Sequence, residues 1–287
     1  MIRLAAATVL LQWATGGLLF LWVSTRRREV GVGYGWLLRV VYAVLAVGAA
    51  AVGGILDPVP VRDAAAAGVG GAATLALAVS IVRRKAGVAG ERARRERKAA
   101  RVAVMAGATD PDRDRPPEST AVRAEFPPAL DLIAPVIGVA GLVAAGMAAG
   151  GPDGLAVART LAGALFLGAV SDAMLLGHWY LVQPGLGRAP LLELNRWLAL
   201  TWPVEVGLLL WPTGMLSVLS GTVDDGWDGI LGWFWVACAV TTLVLTAVTR
   251  AALRERAYSA VMAATGLLYL AILTAFGTDL VARAVLA

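Results

Sequence analysis

Leu161–Pro212 reads LAGALFLGAVSDAMLLGHWYLVQPGLGRAPLLELNRWLALTWPVEVGLLLWP, and this stretch decides the fold class. It holds two apolar runs of membrane-spanning length joined by a short connection. Each run carries a carboxylate, Asp172 in the first and Glu205 in the second. The chain's only histidine, His178, lies between them in Gly177-His178-Trp179-Tyr180. About 20 apolar residues at 1.5 Å per residue cross the roughly 30 Å hydrocarbon core of a bilayer, so each run predicts a transmembrane helix.

The rest of the chain repeats this pattern. Its 287 residues are 59% hydrophobic and 16% charged, with mean hydropathy +0.73. A soluble domain is nearer roughly 45–50% apolar and 25% charged. Apolar runs fall at Leu4–Val23, Trp36–Leu56, Ala64–Val82, Ala129–Ala149, Leu155–Val182, Leu191–Leu210, Ile230–Val248 and Tyr258–Leu280. The first run competes with a signal peptide, but it is full length, and its strong charge, Arg26-Arg27-Arg28, follows rather than precedes it. The 33 glycines and many alanines suit closely packed helices, not the short alternating segments of an outer-membrane barrel. The fold class is therefore all-α: a polytopic helical membrane protein of about eight transmembrane helices. Residues 1–84 hold the first three and residues 129–287 the last five. Residues 85–128 form a basic, partly disordered loop, in which Gly90–Arg101 predicts a charged, alanine-rich helix and Thr109–Glu118 is too polar and proline-rich to fold alone. A short connection followed by a long or polar one recurs in both halves, which suggests two four-helix halves.

Charge sets the orientation. The loops after the first, third, fifth and seventh runs hold 21 of the 25 Lys and Arg residues. The other side holds Arg3, Arg62, Arg159 and Arg283, with Asp57, Asp63, Asp153, Asp224, Asp225 and Asp228. The positive-inside rule puts the basic loops in the cytoplasm and both termini outside, in a plasma membrane of bacterial (inner-membrane) type. A pI near 9.9 thus reports topology, and no nucleic-acid partner is expected. The single cysteine, Cys238, excludes an internal disulfide and any multi-cysteine metal site.

Asp172 and Glu205 lie deep in their runs. An ionisable group at mid-bilayer costs about 2.5–3.5 kcal/mol on insertion scales, which marks it as a candidate proton-relay or ion site. Runs joined by a short connection are antiparallel neighbours, so the two acids are placed to approach each other. A structural role, each acid protonated and hydrogen-bonded to a neighbouring helix, is the competing reading. Pro203, in the same turn as Glu205, removes a backbone donor and is a candidate hinge. His178, Trp179 and Tyr180 at the inner end of the fifth run face Asn195, Arg196 and Trp197 at the start of the sixth. They form a candidate inner-leaflet pocket for a quinone head group, a haem propionate or an anionic lipid; the competing and simpler reading is an ordinary interfacial belt of Trp and Tyr, with His178 a satisfied polar residue. One histidine rules out bis-histidine haem within the chain. Asp172 and His178, six positions apart, point to different faces, and no metal site is expected.

No P-loop, His-Glu-x-x-His, Gly-x-Ser-x-Gly or CxxC motif occurs. The sequence supports three readings. One is a membrane subunit of a respiratory or redox assembly, with a proton relay or quinone- or haem-adjacent site on the hairpin of the fifth and sixth helices. Another is a proton-coupled transporter of a small solute. The third is a non-catalytic lipid-handling or assembly factor. The bilayer and partner subunits, or further copies of the chain, are the expected partners.

Overall fold

A computed structural model describes residues 4–84, 126–150, 153–183, 186–255 and 257–286. The charged helix expected at Gly90–Arg101 and the polar segment Thr109–Glu118 lie outside the described residues. The described residues form helices and no strand. In chain order these are α1 (Ala6–Thr25), α2 (Val32–Leu56), α3 (Pro60–Val82), a 3-10 turn (Pro128–Leu132), α4 (Ile133–Ala148), α5 (Asp153–Val182), α6 (Ala189–Leu210), the short α7 (Gly214–Leu219), α8 (Ile230–Arg254) and α9 (Tyr258–Val285).

Seven helices are long and apolar enough to cross a membrane: α1, α2, α3, α4 with its preceding turn, α5, α8 and α9. The eighth long helix, α6, has 22 residues but contains Glu193, Arg196 and Glu205, which lower its apolar character. It continues unbroken through Pro203.

Local chemistry fixes the helix starts. Pro60 opens α3, where its missing N–H costs nothing, and Asp63 reaches back to accept the Val59 N–H at 2.9 Å. At the start of α8, Asp225 accepts the N–H groups of Trp227, Gly229 and Leu231 at 2.9 Å. Desolvation raises the Asp225 carboxyl, but the backbone donors of Gly229, Trp227, Gly232 and Leu231 together outweigh it and hold the group below its ordinary range.

The helices pack as two rings. In one, α1 and α3 each contact both α2 and α4; in the other, α5 and α8 each contact both α6 and α9. The rings meet chiefly where α5 packs on α1 and α4. The most apolar windows of α1 and α5 are 67% and 78% buried, against 33% for α2, α3, α8 and α9, so α1 and α5 are the central pair. Glycine lets their backbones touch. A Cβ at Gly16 would lie 1.8 Å from the Ala164 carbonyl oxygen, and one at Gly168 would lie 2.2 Å from the Gly16 carbonyl carbon.

The two ends of the bundle differ. At the end remote from the termini, Arg39 holds Asp131 through a two-point fork, Nε to Oδ1 at 2.8 Å and Nη2 to Oδ2 at 2.7 Å. Arg26 pairs with Glu193 at 2.5 Å, and Arg188 donates to the carbonyls of Leu253 and Ala257. These contacts tie the connections together. The end that carries both termini has a different polar arrangement.

Candidate functional site

Glu205 lies five positions before the end of α6 and is fully buried. Its carboxyl faces that of Asp279 on α9, within the fields of Arg283 and Arg159. Arg283 stands one turn after Asp279 and donates from Nε to Asp279 Oδ2 at 2.7 Å. Arg159, on α5, donates from Nε to the Leu208 carbonyl at 2.9 Å and from Nη2 to the Trp211 carbonyl. It thereby satisfies two carbonyls at the C-terminus of α6 that have no partner within the helix. Gln12, on α1, donates to the Thr160 carbonyl at 2.7 Å. Two cations and two carboxylates from three helices thus share one buried region.

Gly163 is the reason these groups can converge. A Cβ there would lie 2.6 Å from Gln12 Nε2, 2.7 Å from Asp279 Oδ1 and 2.9 Å from Arg283 Nη2. The missing side chain is replaced by three polar atoms from α1 and α9. Both Glu205 carboxyl oxygens, Asp279 Oδ1, Arg283 Nη2 and Gln12 Oε1 have no hydrogen-bond partner in the protein. Leaving a buried polar atom unpaired costs about 1–3 kcal/mol, more when it is charged, so this concentration of groups is chemically demanding. A proton shared by Glu205 and Asp279 would join them by a hydrogen bond.

A narrow cleft of about 10 Å³, room for about one water molecule, lies at the terminal end of the bundle and touches this cluster at Arg283. Its walls include Thr8, Asp57, Arg62, Ala148, Thr160 and Arg283. It therefore opens between the two rings, with Arg283 bridging from the cleft to the buried acids.

Asp172 occupies a separate position. It is nine residues beyond Gly163 on α5, a half-turn away at 100° per residue and about 13 Å along the axis. It faces α2, where Tyr42 donates its hydroxyl to Asp172 Oδ1, and Oδ2 has no protein partner. The Tyr42 ring lies against the backbone of Gly17. Beside it, Trp13 donates to the Ser171 hydroxyl at 2.8 Å. The two acids of the α5–α6 hairpin thus have different partners: Asp172 turns to α2 and Glu205 to α9.

The residues expected in an inner-leaflet pocket point several ways. His178 is exposed, with Nδ1 2.9 Å from the Tyr269 hydroxyl. Trp179 packs 6.0 Å from the Tyr34 ring and donates to Gln183 at 3.0 Å. Tyr180 is buried and donates to the Gly187 carbonyl in the α5–α6 connection. Asn195 is buried and donates to the Thr246 carbonyl at 3.0 Å. Arg196 is exposed, and Trp197 meets Phe20 edge-on at 6.0 Å.

Sequence reasoning missed Arg159, Asp279, Arg283 and Gln12 as site residues, and it missed Tyr42 as the partner of Asp172. One signal was present. Arg62, Arg159 and Arg283 are three of the four basic residues on the side that the positive-inside rule leaves poor in charge, and all three are buried in or beside this cluster.

No family model matches the chain, and neither the curated proteins nor the solved structures contain a significant match.

Proposed function

We propose that the chain is a multi-pass transporter that couples proton movement to a small solute, with Arg159, Glu205, Asp279 and Arg283 as the coupling site. One observation carries this reading: four ionisable side chains are buried together in the second ring, and one of them, Arg283, lines a narrow cleft that opens between the two rings. Carboxylates within a membrane that pair with arginines and reach a water-filled opening are the usual equipment of proton relays. The four groups belong to the second ring and meet the first through Gln12 and the cleft, and sites bordering two helical halves suit alternating access, in which one half rocks against the other. With eight crossings and the basic loops in the cytoplasm of a bacterial-type cell, both termini and the cleft face outward. Asp172, on the opposite face of α5 and nearer the cytoplasm, is then the second acid of the path, and Pro203 lies where α6 would flex.

The test is proton uptake by proteoliposomes carrying a pH-sensitive dye in the lumen. Acidifying the outside should drive solute-dependent uptake by the wild type and none by Glu205→Gln. Equal uptake by both would exclude the coupling role.

A membrane subunit of a redox assembly is the second reading, and the exposed His178–Tyr269 pair favours it. A hydrogen-bonded imidazole and phenol on the lateral surface suit a quinone head group, or with a partner's ligand a haem. Quinone extracted from gently purified wild type but not from His178→Ala, or a reduced-minus-oxidised haem spectrum, would support it. A colourless preparation free of quinone would count against it.

A further inference from the structure

We infer that α7 is the outer gate of the Glu205–Asp279 pair and that Arg159 is its latch, released when Glu205 ionises. This rests on the coupling-site reading above and adds how the pair meets the outside.

The acid pair lies beneath an apolar seal. Glu205 and Leu209 are four positions apart on α6, and Asp279 and Ala282 are three apart on α9. Each acid therefore has an apolar residue one turn nearer the terminal end on the same helix face. Leu209 and Ala282 pack with Met215 and Val218 of α7 and Trp235 of α8, and all five are at most 3% exposed. Thus α7 covers the end of the second ring. The neighbouring cleft, with room for about one water, reaches Arg283 but is too narrow for a solute.

One side chain holds the connection that leads into α7. Arg159 is 4% exposed and donates to the Leu208 and Trp211 carbonyls, where α6 ends. Gly214, the first residue of α7, has φ +26°, and a Cβ there would lie 1.9 Å from the Leu209 carbonyl oxygen and 3.2 Å from Arg159 Nη2. The chain turns back over the arginine at a point that only glycine fits.

Arg159 has a second partner at hand. It stands in the field of Glu205, whose two carboxyl oxygens have no hydrogen-bond partner among the described residues. Arg283 is already bonded to Asp279, whereas the bonds of Arg159 go to neutral carbonyls. An ionised carboxylate is the stronger partner for a guanidinium. Ionised Glu205 therefore draws Arg159 off the carbonyls and frees α7. A proton taken from outside water neutralises Glu205 and returns Arg159 to them. The charged groups facing Arg159 and Glu205 are Asp279 and Arg283 on α9; Arg62 and Asp57 stand in the cleft, and α1, α4 and α7 carry no charged residue.

The experiment is labelling of a single cysteine beneath α7, Ala282→Cys in a Cys238→Ala background, with a cationic, impermeant methanethiosulfonate. The full chain is held in nanodiscs of neutral lipid from pH 6 to pH 8. Each rate is divided by that of the exposed Thr222→Cys at the same pH. The relative rate should rise with pH, and Glu205→Gln should lower it at pH 8 by about tenfold or more. Arg159→Gln should raise it by about tenfold or more at pH 6. If that variant does not fold, Gly214→Ala, which pushes α7 off the arginine with every charge intact, should raise it likewise. Three results would each overturn the inference: Ala282→Cys labelled as fast as Thr222→Cys throughout, a rate unmoved by Arg159→Gln or Gly214→Ala in folded protein, or the same pH profile with Glu205→Gln. The expected labelling without proton uptake by proteoliposomes would leave the gate standing and remove the transport reading. Proton uptake with labelling that ignores these variants would do the reverse.

Discussion

Tyr42 donates to one oxygen of the buried Asp172 carboxyl, and the other oxygen has no partner among the described residues. Tyr42→Phe removes the one side-chain donor and should cost about 1–3 kcal/mol in denaturant unfolding. A loss near zero would mean that the carboxyl is satisfied by something other than Tyr42. The sequence exposed only half of this pair. A carboxylate inside an apolar run is conspicuous, whereas a tyrosine in α2, 130 positions away, looks like any membrane aromatic. The same asymmetry hid the outer cluster. Glu205 stood out in mid-run, but Arg159, Asp279 and Arg283 lie near helix ends, where charge is ordinary. Their meeting depends on how α5, α6 and α9 pack, which no local pattern encodes.

Among the elements, α1 and α5 organise the rest, and their contact depends on glycine. Gly16→Ala puts a methyl group into the Ala164 carbonyl and should destabilise by at least about 1–3 kcal/mol, the usual range for overpacking. Gly71→Ala on the exposed face of α3, with nothing within 4 Å, should be neutral or slightly stabilising. Similar losses for the two would refute a glycine-dependent crossing. The start of α8 depends on pH. Because the folded Asp225 carboxyl titrates lower than in the unfolded chain, its contribution is present above the ordinary carboxylate value, about 3.9, and is lost as pH falls through the lowered folded value. Protection of Leu231 and Gly232 from hydrogen exchange, taken relative to the intrinsic rate at each pH, should therefore fall in acid, and at neutral pH in Asp225→Ala. Unchanged exchange in the variant would mean that the loop is held by other contacts. Helix lengths and order were legible because membrane-length runs and charged loops alternate. The start of α6 was less so: it begins at Ala189, before the expected Leu191, while its end at Leu210 sets Glu205 five positions from the outer end.

At the scale of the whole molecule, the described residues place seven long apolar helices and a more polar eighth in two rings, and a charge-rich interior lies in the second ring, against the first, at the end that carries the termini. The sequence suggested two halves through loop spacing alone; how the rings close is a property of packing. The proposed orientation is open to test by single-cysteine labelling in a Cys238→Ala background. An impermeant maleimide on intact cells should modify Thr222→Cys and leave Arg27→Cys untouched until the membrane is opened. The reverse pattern would place the cleft on the cytoplasmic side. The central claim is that the buried Glu205–Asp279 pair exchanges a proton with the outside. Infrared difference spectroscopy of the reconstituted protein, acid minus neutral, measures this most directly. The account predicts a protonated-carboxyl C=O band that shifts in D₂O and disappears in both Glu205→Gln and Asp279→Asn. A band that persists unchanged in both variants would contradict it.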